Sequence, residues 1–469
     1  MSEEIISAKT FLGQDQDLFA KFSGDINPIH VDVELARRSI SGQCILHGIH
    51  GLLWALESFL KINELFVSSV CVRFLKPVFL NEEVVCYWKD QTNQLILKSN
   101  DTAMVVINFT LCKQIDSSDV KLKIWSQRQS PERPSFFDCT KFSNKPFKVH
   151  GSECLAPQLF PFLCQRYGIA TVLEMGAISQ LVGMECPGLH SLFTDLKLTF
   201  KDNNLSPNFT VFKSDERVEI LNISVVGRCF DAVVRAFYRP LYFTMPTILD
   251  LSSQIQANEF SEVSALIIGG SRGLGEVVAK SIAAGGGKVI ITYTIGKKDA
   301  LRVRDEIRNW GADCEIIHFT VNEQATPIEK LPNFNQLYYF ATPKIFGKRS
   351  TEFDEGLVEK FSEIYLRGFK NICEMIVQKK QSTSVLYPST IAIDEPIEEL
   401  AEYIDVKIEG ERVCRELNNN QYLKIFVPRL PRIDTDQTQS VLKVKSESSL
   451  DILIPLVREL SENISKVAS

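Results

Sequence analysis

The segment from Phe22 to His30 is the feature of the sequence that most constrains the fold. It reads Phe-Ser-Gly-Asp-Ile-Asn-Pro-Ile-His, with a glycine that tolerates positive φ and an asparagine held extended by the proline after it. These residues predict an abrupt turn that brings Asp25 and His30 to one side. A carboxylate and an imidazole so placed can hold one water molecule and move protons to and from a carbon acid. The alternative interpretation is a polar loop with a local hydrogen bond.

The same stretch resembles the signature of the (R)-specific enoyl hydratases and MaoC-like dehydratases, a family with the hot-dog fold. Beyond the turn, the match includes positions in the next helix pattern and in a later strand pattern, namely Ala36, Ser39, His47-Gly48 and Val72 to Val78. The motif is long, so it carries more weight than an arbitrary acid and histidine pair. The resemblance implies a hydratase or dehydratase that acts on an acyl thioester.

The resemblance implies a catalytic role for three residues. Asp25 and His30 would share the proton transfers that add water to an α,β-unsaturated thioester or remove it. The backbone N–H of Gly48 would bind the developing enolate oxygen, a task that suits the start of a helix because its N–H groups are unpaired. His47 and His50 are interpreted as helix-packing or hydrogen-bonding histidines. Arg73 and Lys76 could meet a phosphate of a pantetheine carrier, but they are interpreted as exposed strand cations.

Composition restricts the class of protein further. The chain has 469 residues, enough for about three domains, with 45% hydrophobic and 23% charged residues, as in globular proteins. The net charge of −6 argues against a nucleic-acid surface. No apolar run reaches the about 18 residues that span a bilayer, and the acidic start predicts no secretory signal. The twelve cysteines lack a C-x-x-C pair and the six histidines do not cluster, so we expect a cytoplasmic protein without a metal site.

Residues 1–115 are predicted to form the catalytic hot-dog domain. Apolar residues recur at helical spacing from Ile45 to Leu60, which predicts a buried central helix inside a curved sheet. Shorter helices are predicted at Asp15–Phe22 and Val31–Ser39. Runs rich in β-formers predict the strands of that sheet, at Val70–Val78, Val84–Tyr87, Leu95–Lys98 and Met104–Leu111.

Residues 116–245 are predicted to repeat this order of helix and strands as a second hot-dog-like domain. An apolar helix is predicted at Leu159–Leu181, with breaks near Gly168 and Gly176. No second G-D-x-N-P-x-H motif occurs, so this half is interpreted as a non-catalytic partner that helps to form an acyl tunnel. His190 is interpreted as a satisfied or surface histidine.

An α/β Rossmann-type doubly wound domain is predicted at 262–469, after a linker at 246–261. Val263 to Ile268 is predicted to be a buried strand that runs into a glycine-rich turn and then a helix. This order suits the pyrophosphate of a dinucleotide, because glycines let the backbone come close and a helix N-terminus offers N–H groups. The predicted cofactor-binding residues of the turn are Gly269, Ser271, Arg272, Gly273, Leu274 and Gly275.

This third segment resembles the short-chain dehydrogenases/reductases, and among them the 3-oxoacyl reductases. The resemblance rests on Tyr403 and Lys407, four residues apart on one helix face, with Ser389 and Thr390 at the end of an earlier strand. It implies that Lys407 lowers the pKa of the Tyr403 phenol and binds the nicotinamide ribose, while Tyr403 donates a proton to the substrate. Ser389 is predicted to orient the substrate carbonyl, although Thr390 fits the family's spacing slightly better.

The cofactor is predicted to be NADP(H) rather than NAD(H). The second strand of this segment ends at Thr294, a predicted cofactor contact, without the acidic residue that would bind a ribose 2′-hydroxyl. Arg272, with Lys297 and Lys298 nearby, could instead neutralise a 2′-phosphate. The two lysines fit a solvated turn equally well.

Other positions depart from the reductase pattern. Tyr365 stands where the family has an asparagine that supports a proton-relay water, and Thr320 stands at the adenine-side aspartate. Tyr339 to Thr342 replace the usual Asn-Asn-Ala-Gly. These departures concern the efficiency of the reductase and its proton relay, and they leave Tyr403 and Lys407 unaffected.

Two motif sets in one chain predict a bifunctional enzyme, with two α+β hot-dog domains followed by the Rossmann-type domain. Both sites would act on a (3R)-3-hydroxyacyl thioester of CoA or of an acyl-carrier protein, and a homodimer is compatible with the sequence. One alternative is a hydratase/dehydratase whose NADP-binding reductase domain is degenerate. Another is a non-catalytic scaffold that binds acyl groups or dinucleotides.

Overall fold

In a computed structural model, the chain forms two compact units, Met1–Leu241 and Tyr242–Ser469. The structure describes residues 3–39, 41–114, 122–203, 206–239, 243–321, 332–345, 353–438 and 444–465. No helix within these ranges is long and apolar enough to cross a membrane.

The first unit is built on one antiparallel sheet. Its strands are β1 (Glu4–Thr10), β2 (Phe66–Phe74), β3 (Glu83–Lys89), β4 (Gln94–Ser99), β5 (Thr102–Cys112), β6 (Lys145–Pro146), β7 (Ser191–Phe200), β8 (Asn208–Asp215), β9 (Ile220–Val226) and β10 (Phe230–Tyr238). Their order across the sheet is β1-β3-β4-β5-β2-β7-β10-β9-β8-β6. Each half therefore has the same internal order, and β2 pairs with β7 to join the halves.

Each half carries its main helix between its first and second strands. These two helices are α4 (Gly48–Leu60) and α8 (Ile169–Gln180), and nearly all of their residues are buried. Both contribute to one hydrophobic core with the inner faces of the strands, so the two halves form a single compact unit. The other helices of this unit are α1 (Gly13–Ser23), α2 (Pro28–Val31), α3 (Val33–Ala36), α5 (Phe136–Thr140), α6 (Ala156–Leu159) and α7 (Pro161–Tyr167).

The helix starts differ from those that the spacing of apolar residues predicted. Helix α4 begins at Gly48 rather than at Ile45, because Ile45 pairs with Phe79 in an isolated bridge. The helix predicted at Val31–Ser39 is shorter, because the Asp32 side chain accepts the backbone N–H groups that begin α3 and thereby separates it from α2. The strands β2 to β5 correspond to the four predicted β-rich runs, and β1 was not predicted.

Two glycines of the predicted helix Leu159–Leu181 have different roles. Gly168 has a φ of +80° and ends α7, so the break predicted there is present. Helix α8 passes through Gly176 without a break. This glycine instead allows a close contact, since a Cβ atom there would lie 2.5 Å from Phe22 Cε1. Helix α8 continues into one π-helical turn at Leu181–Glu185, a feature often found at functional sites.

The second unit contains a six-stranded parallel sheet. Its strands are β11 (Ser264–Ile268), β12 (Lys288–Tyr293), β13 (Cys314–His318), β14 (Gln336–Tyr339), β15 (Thr383–Leu386) and β17 (Leu423–Phe426). They lie in the order β13-β12-β11-β14-β15-β17, which is the 3-2-1-4-5-6 order of the Rossmann fold. A separate short ladder pairs β16 (Ser389–Thr390) with β18 (Arg429–Leu430).

Helices cover both faces of this parallel sheet, as a doubly wound domain requires. Alternate residues of β11 lie in different cores, Ala265 and Ile267 in one and Leu266 and Ile268 in the other. The first core also contains residues of α9 (Ile248–Ser252) and α10 (Gly273–Ala284), and the second contains residues of α13 (Phe369–Gln378). The helices of this unit are α9 (Ile248–Ser252), α10 (Gly273–Ala284), α11 (Lys297–Asn309), α12 (Glu355–Ser362), α13 (Phe369–Gln378), α14 (Ala401–Leu417) and α15 (Ser449–Ser465).

The segment predicted as a linker, 246–261, is built into the second unit. Leu251 of α9 is fully buried, and Phe260 is 2% exposed in the same core. The N–H of Phe260 also donates to the Gly285 carbonyl. The segment contains Pro246 and only one short helix, α9, so its burial was not evident from the sequence.

Candidate active sites

The turn between α1 and α2 follows from the order of its residues. Gly24 ends α1 in the left-handed region, with a φ of +81°, and its N–H donates to the Ala20 carbonyl at 2.8 Å. The Asn27 side chain accepts the N–H of Ile29 and so caps α2, and Pro28 occupies the first helical position. Asp25 is thus held between the end of one helix and the start of the next.

The Asp25 carboxylate is buried, with 1% of the residue exposed, and both of its oxygens accept hydrogen bonds. The N–H of Asn27 donates to Oδ1 at 3.0 Å, and the hydroxyl of Ser179 donates to Oδ2 at 2.7 Å. Burial raises the pKa of Asp25 to about 6, although the two hydrogen bonds act to lower it. Asp25 therefore titrates near neutral pH, the range in which a carboxylate is useful as a base.

The hydrogen bond of His30 determines which of its ring nitrogens is free. Nδ1 lies 2.8 Å from the carbonyl oxygen of Ile45, and because a carbonyl only accepts, Nδ1 carries the proton. Burial lowers the pKa of His30 to about 4, so the ring is neutral at pH 7. Nε2 is then unprotonated, and His30 can accept a proton through it.

The structure brings the two predicted residues together with a third. Ligand-type atoms of Asp25, His30 and His47 all lie within 4.8 Å of one another. The rings of His30 and His47 stack, with centroids 3.9 Å apart. Because Nδ1 of His30 and both ring nitrogens of His47 already contact protein oxygens, this arrangement suits proton transfer better than metal binding.

Gly48 is the first residue of α4, so its backbone N–H lies at the N-terminus of a 13-residue helix. A side chain is excluded at this position, since a Cβ atom would lie 2.9 Å from Phe74 Cε1. An N–H without a partner inside the helix, at the positive end of the helix dipole, suits an oxyanion. The role of Gly48 as oxyanion donor remains a prediction that this placement supports.

The second half of the first unit supplies two contacts to Asp25 that sequence reasoning missed. Ser179 of α8 donates the hydrogen bond to Oδ2, and Gly183 of the π-helical turn packs directly on the carboxylate. A Cβ atom at Gly183 would lie 2.3 Å from Asp25 Oδ1. The Asn27 amide also donates to the Gly183 carbonyl at 2.8 Å. A lone serine and a lone glycine in an apolar helix pattern give no signal of such a contact.

The glycine-rich turn of the second unit fits a dinucleotide phosphate. A Cβ atom at Gly269 would lie 2.8 Å from the Phe340 carbonyl oxygen, and one at Gly275 would lie 2.4 Å from the Gly269 carbonyl oxygen. Gly273 begins α10 with a φ of +58° and has open space beside it. Gly269 and Gly275 are therefore packed tightly against carbonyl groups of the protein. Gly273 leaves the helix N-terminus open, where a phosphate would meet N–H groups.

The other predicted cofactor residues lie around this turn with different surroundings. Ser271 is buried, and Leu274 packs against the core of the unit. Arg272 forms an ion pair with Asp436, with 2.6 Å between Nη1 and Oδ2, so its charge is partly neutralised within the protein. Thr294 is exposed after β12, and its hydroxyl donates to the Phe319 carbonyl at 3.1 Å.

Tyr403 and Lys407 lie one turn apart on α14. The Lys407 ammonium donates to the Pro388 carbonyl at 2.7 Å and lies 3.9 Å from the ring centroid of Tyr365. Burial lowers the pKa of Lys407 to about 7 and raises that of Tyr403 to about 12. The pKa of Tyr403 therefore shifts opposite to the acidification expected from Lys407, because burial of the phenol itself disfavours the charged phenolate.

The predicted role of Ser389 does not fit its contacts. Its hydroxyl donates to Glu411 Oε1 at 2.6 Å, and Arg429 forms an ion pair with the same carboxylate. The Thr390 side chain instead lies close enough to Tyr403 to lower the pKa of its phenol as a hydrogen-bond partner. Successive residues of a strand point to opposite faces, so the one-residue difference decides which hydroxyl reaches the phenol. Thr390 takes the position that was expected for Ser389.

Three tyrosine rings surround Lys407, and we call them the tyrosine cage: Tyr365, Tyr387 and Tyr403. Tyr365 lies in a π-helical turn at Glu363–Gly368, and its hydroxyl is 2.5 Å from Thr342 Oγ1. The Tyr387 hydroxyl donates to the Tyr365 carbonyl at 3.1 Å. The Tyr365 carbonyl oxygen therefore already accepts one hydrogen bond from a protein hydroxyl.

Part of the first unit matches a known protein family. Residues 6–108 match the family model described as MaoC like domain. No curated protein was found to match the chain. The N-terminal part of the chain is therefore a MaoC-like domain.

Solved structures similar to part of the chain are short-chain dehydrogenases and reductases. One is a short-chain dehydrogenase/reductase from Serratia marcescens, which is 15% identical in sequence. The aligned region covers 43% of this chain and 91% of the Serratia chain, with a TM-score of 0.38. An alcohol dehydrogenase from the archaeon Thermococcus sibiricus, complexed with 5-hydroxy-NADP, is 19% identical, with coverages of 43% and 90% and a TM-score of 0.38. FolM alternative dihydrofolate reductase 1 from Brucella canis, complexed with NADP, is 13% identical, with coverages of 44% and 90% and a TM-score of 0.37.

Proposed function

We propose that the first unit is an (R)-specific hydratase/dehydratase that interconverts trans-2-enoyl and 3-hydroxyacyl thioesters of CoA or an acyl-carrier protein. The observation that carries the proposal is the pairing of a buried Asp25 carboxylate with a neutral His30 whose Nε2 is free to accept a proton. The MaoC-like match over residues 6–108 supports the class of reaction.

Asp25, His30 and Gly48 have different tasks in the proposed hydration. Asp25 and His30 hold a water molecule between them, and His30 Nε2 removes its proton while the water oxygen adds to the β-carbon. The resulting enolate oxygen is bound by the Gly48 N–H. The imidazolium of His30 then returns the proton to the α-carbon, which completes the addition of one water molecule. Dehydration follows the same steps in reverse.

We further propose that the first unit consists of two hot-dog domains, of which only the first carries proton-transfer residues. The repeated strand order and the equivalent placement of α4 and α8 support this division. The second domain contributes Ser179 and Gly183 to the site, and so it holds the catalytic carboxylate in place.

The proposed hydratase is tested with crotonyl-CoA. Hydration of this substrate is measured as a loss of the enoyl thioester absorbance. Asp25→Asn is expected to abolish turnover, because the neutral amide cannot hold the attacking water as a carboxylate does. Asp17→Asn makes the same chemical change at an exposed position of α1 and should keep wild-type activity. Folded protein that turns over neither enoyl nor 3-hydroxyacyl thioesters would refute the proposal.

We propose that the second unit is a short-chain reductase of the 3-oxoacyl type that binds NADP(H) in preference to NAD(H). The Rossmann strand order, the open helix N-terminus at Gly273 and the Tyr403–Lys407 pair support this class. When bound, the nicotinamide would supply the hydride. Tyr403 would give its proton to the carbonyl oxygen, and Thr390 would orient that oxygen through its hydroxyl.

Reduction and dehydration would then use the same (3R)-3-hydroxyacyl thioester, so the two units would catalyse consecutive steps on one acyl group. The test is a spectrophotometric screen of 3-oxoacyl thioesters of graded chain length with NADPH and with NADH. NADPH oxidation that depends on the thioester is expected, followed by formation of the enoyl product.

The tyrosine cage favours a second candidate, a hydratase whose reductase domain binds the dinucleotide without turnover. In the cage the Lys407 ammonium is desolvated and Tyr403 is a weaker acid than an ordinary phenol. NADPH binding in a calorimetric titration, without oxidation of NADPH by any thioester, would support this candidate. Thioester-dependent oxidation of NADPH would exclude it.

A further inference from the structure

His47 was interpreted from the sequence as a packing residue, but both of its ring nitrogens contact oxygen atoms in the buried site. The residue immediately precedes α4 and is fully buried, with its ring stacked on His30. Nδ1 lies 2.8 Å from Gln16 Oε1, and Nε2 lies 3.1 Å from the backbone carbonyl oxygen of Asp25.

The orientation of the Gln16 amide is fixed by the backbone N–H that its oxygen accepts. Its oxygen also accepts the backbone N–H of His47 at 3.1 Å, and its nitrogen lies 3.3 Å from Nδ1 of His50. A flipped amide would place an NH₂ group against that backbone N–H, and two donors would then face each other. The atom opposite Nδ1 of His47 is therefore an oxygen.

A neutral imidazole carries only one N–H, so it can donate to only one of these two oxygens. The other nitrogen would then present its lone pair to a buried oxygen, which is unfavourable. An imidazolium donates to both. The Asp25 carboxylate provides the matching negative charge, with 3.9 Å between Oδ2 and Nε2 of His47.

We propose that His47 is the positively charged residue of this site, an imidazolium that keeps Asp25 ionised and leaves His30 as the neutral base. The catalytic consequence rests on the proposed hydratase function, whereas the charge state does not. His47 is then a positioning residue that acts through Asp25.

Burial and the surrounding charges act in different directions on His47. Burial lowers the pKa of His47 well below its ordinary value, and the proximity of His30 and His50 lowers it further. The two acceptor oxygens and the Asp25 carboxylate favour the charged form. The groups that face the ring, or that act on its neighbours, are Gln16 and Phe19 of α1, Asp25, His30 of α2, His50 of α4, and beyond them Lys9, Asp15 and Arg239.

The charge state is measured directly in the unmodified full-length chain. Labelling with nitrogen-15 and long-range proton–nitrogen NMR distinguish a ring with two N–H groups from either neutral tautomer. At pH 8 an ordinary histidine is neutral, because its pKa is about 6.5. We expect one of the six histidines to keep both ring protons at pH 8 and to disappear from the spectrum of His47→Gln. A single ring proton on His47 at pH 7 would overturn the proposal.

The kinetic test separates a charge effect from a merely structural one. In His47→Gln the acidic limb of kcat/KM for crotonyl-CoA hydration should move up by about 1–3 pH units, because Asp25 loses an opposite charge. His50→Gln changes the same network at the far side of Gln16 and should leave the limb in place. A loss of rate in His47→Gln at all pH values, with an unmoved limb, would contradict the proposal. If no thioester is turned over, the proposed function fails, and the spectrum still decides the charge of His47.

Discussion

Replacement of Ser179 by alanine tests whether the second half of the first unit takes part in the chemistry. The hydroxyl of Ser179 donates to Asp25 Oδ2 at 2.7 Å, and it is the stronger of the two hydrogen bonds that lower the pKa of this carboxyl. A hydrogen bond to a charged acceptor contributes about 1.5–3 kcal/mol. Since one pKa unit corresponds to about 1.36 kcal/mol, its loss should raise the pKa of Asp25 by about 1–2 units.

The sign of the effect follows from the form of Asp25 that the reaction needs. In the proposed hydration the carboxylate is the active form, so a raised pKa would move the acidic limb of kcat/KM to higher pH. Below the limb, Ser179→Ala should be about 10–100-fold slower than the wild type, since each pKa unit corresponds to a tenfold change. Well above the limb, the two rates should converge. The assay is crotonyl-CoA hydration between pH 5 and pH 9.

A matched control is available in the other main helix. Ser58 of α4 is also buried, but its hydroxyl donates to the Trp54 carbonyl of its own helix at 2.8 Å. Ser58→Ala should leave the limb unmoved. If Ser179→Ala lowers the rate equally at every pH, the hydrogen bond does not control the ionisation of Asp25, and the reasoning is refuted.

Three further predictions follow from close contacts. Gly183→Ala places a methyl group against the Asp25 carboxylate, and a displacement of about 1 Å should reduce kcat by about 10²-fold, measured in the same hydration assay. Leu251→Ala should lower the free energy of unfolding of the second unit by about 2–5 kcal/mol in urea denaturation, whereas the exposed Leu249→Ala should change it by less than about 0.5 kcal/mol; equal effects would mean that α9 is a linker after all. Tyr365→Asn opens the tyrosine cage and should increase thioester-dependent NADPH oxidation, and an unchanged rate would show that the cage does not limit the reductase.

The sequence predicted best those parts of the sites whose residues are close along the chain. Asp25 and His30 are brought together because Gly24, Asn27 and Pro28 determine the turn by local backbone preferences. The strand, glycine turn and helix at the start of the second unit are local in the same way, and the predicted strand and turn are present there.

Contacts between distant segments could not be predicted in the same way. Ser179 is 154 residues from Asp25, and no periodicity distinguishes it from other polar residues of an apolar helix. The choice between Ser389 and Thr390 depended on which face of a two-residue strand each occupies, and this is set by pairing with β18. The low acidity of Tyr403 depends on its burial in the folded unit, where Phe361 and Tyr365 from other elements pack against its ring.

These long-range contacts explain how the second half of the first unit can lack a motif and still be required. Its helix α8 supplies a hydroxyl donor to Asp25, and its π-helical turn supplies the surface on which the carboxylate packs. The Asn27 amide, which shapes the turn, donates to carbonyls of Gly183 and Gly188 in this half. Without the second half, the carboxylate would lose a hydrogen bond and the turn would lose the partners of its amide. In the proposed hydratase the second half would contribute a serine and a glycine that face Asp25, and it would need no second pair of proton-transfer residues.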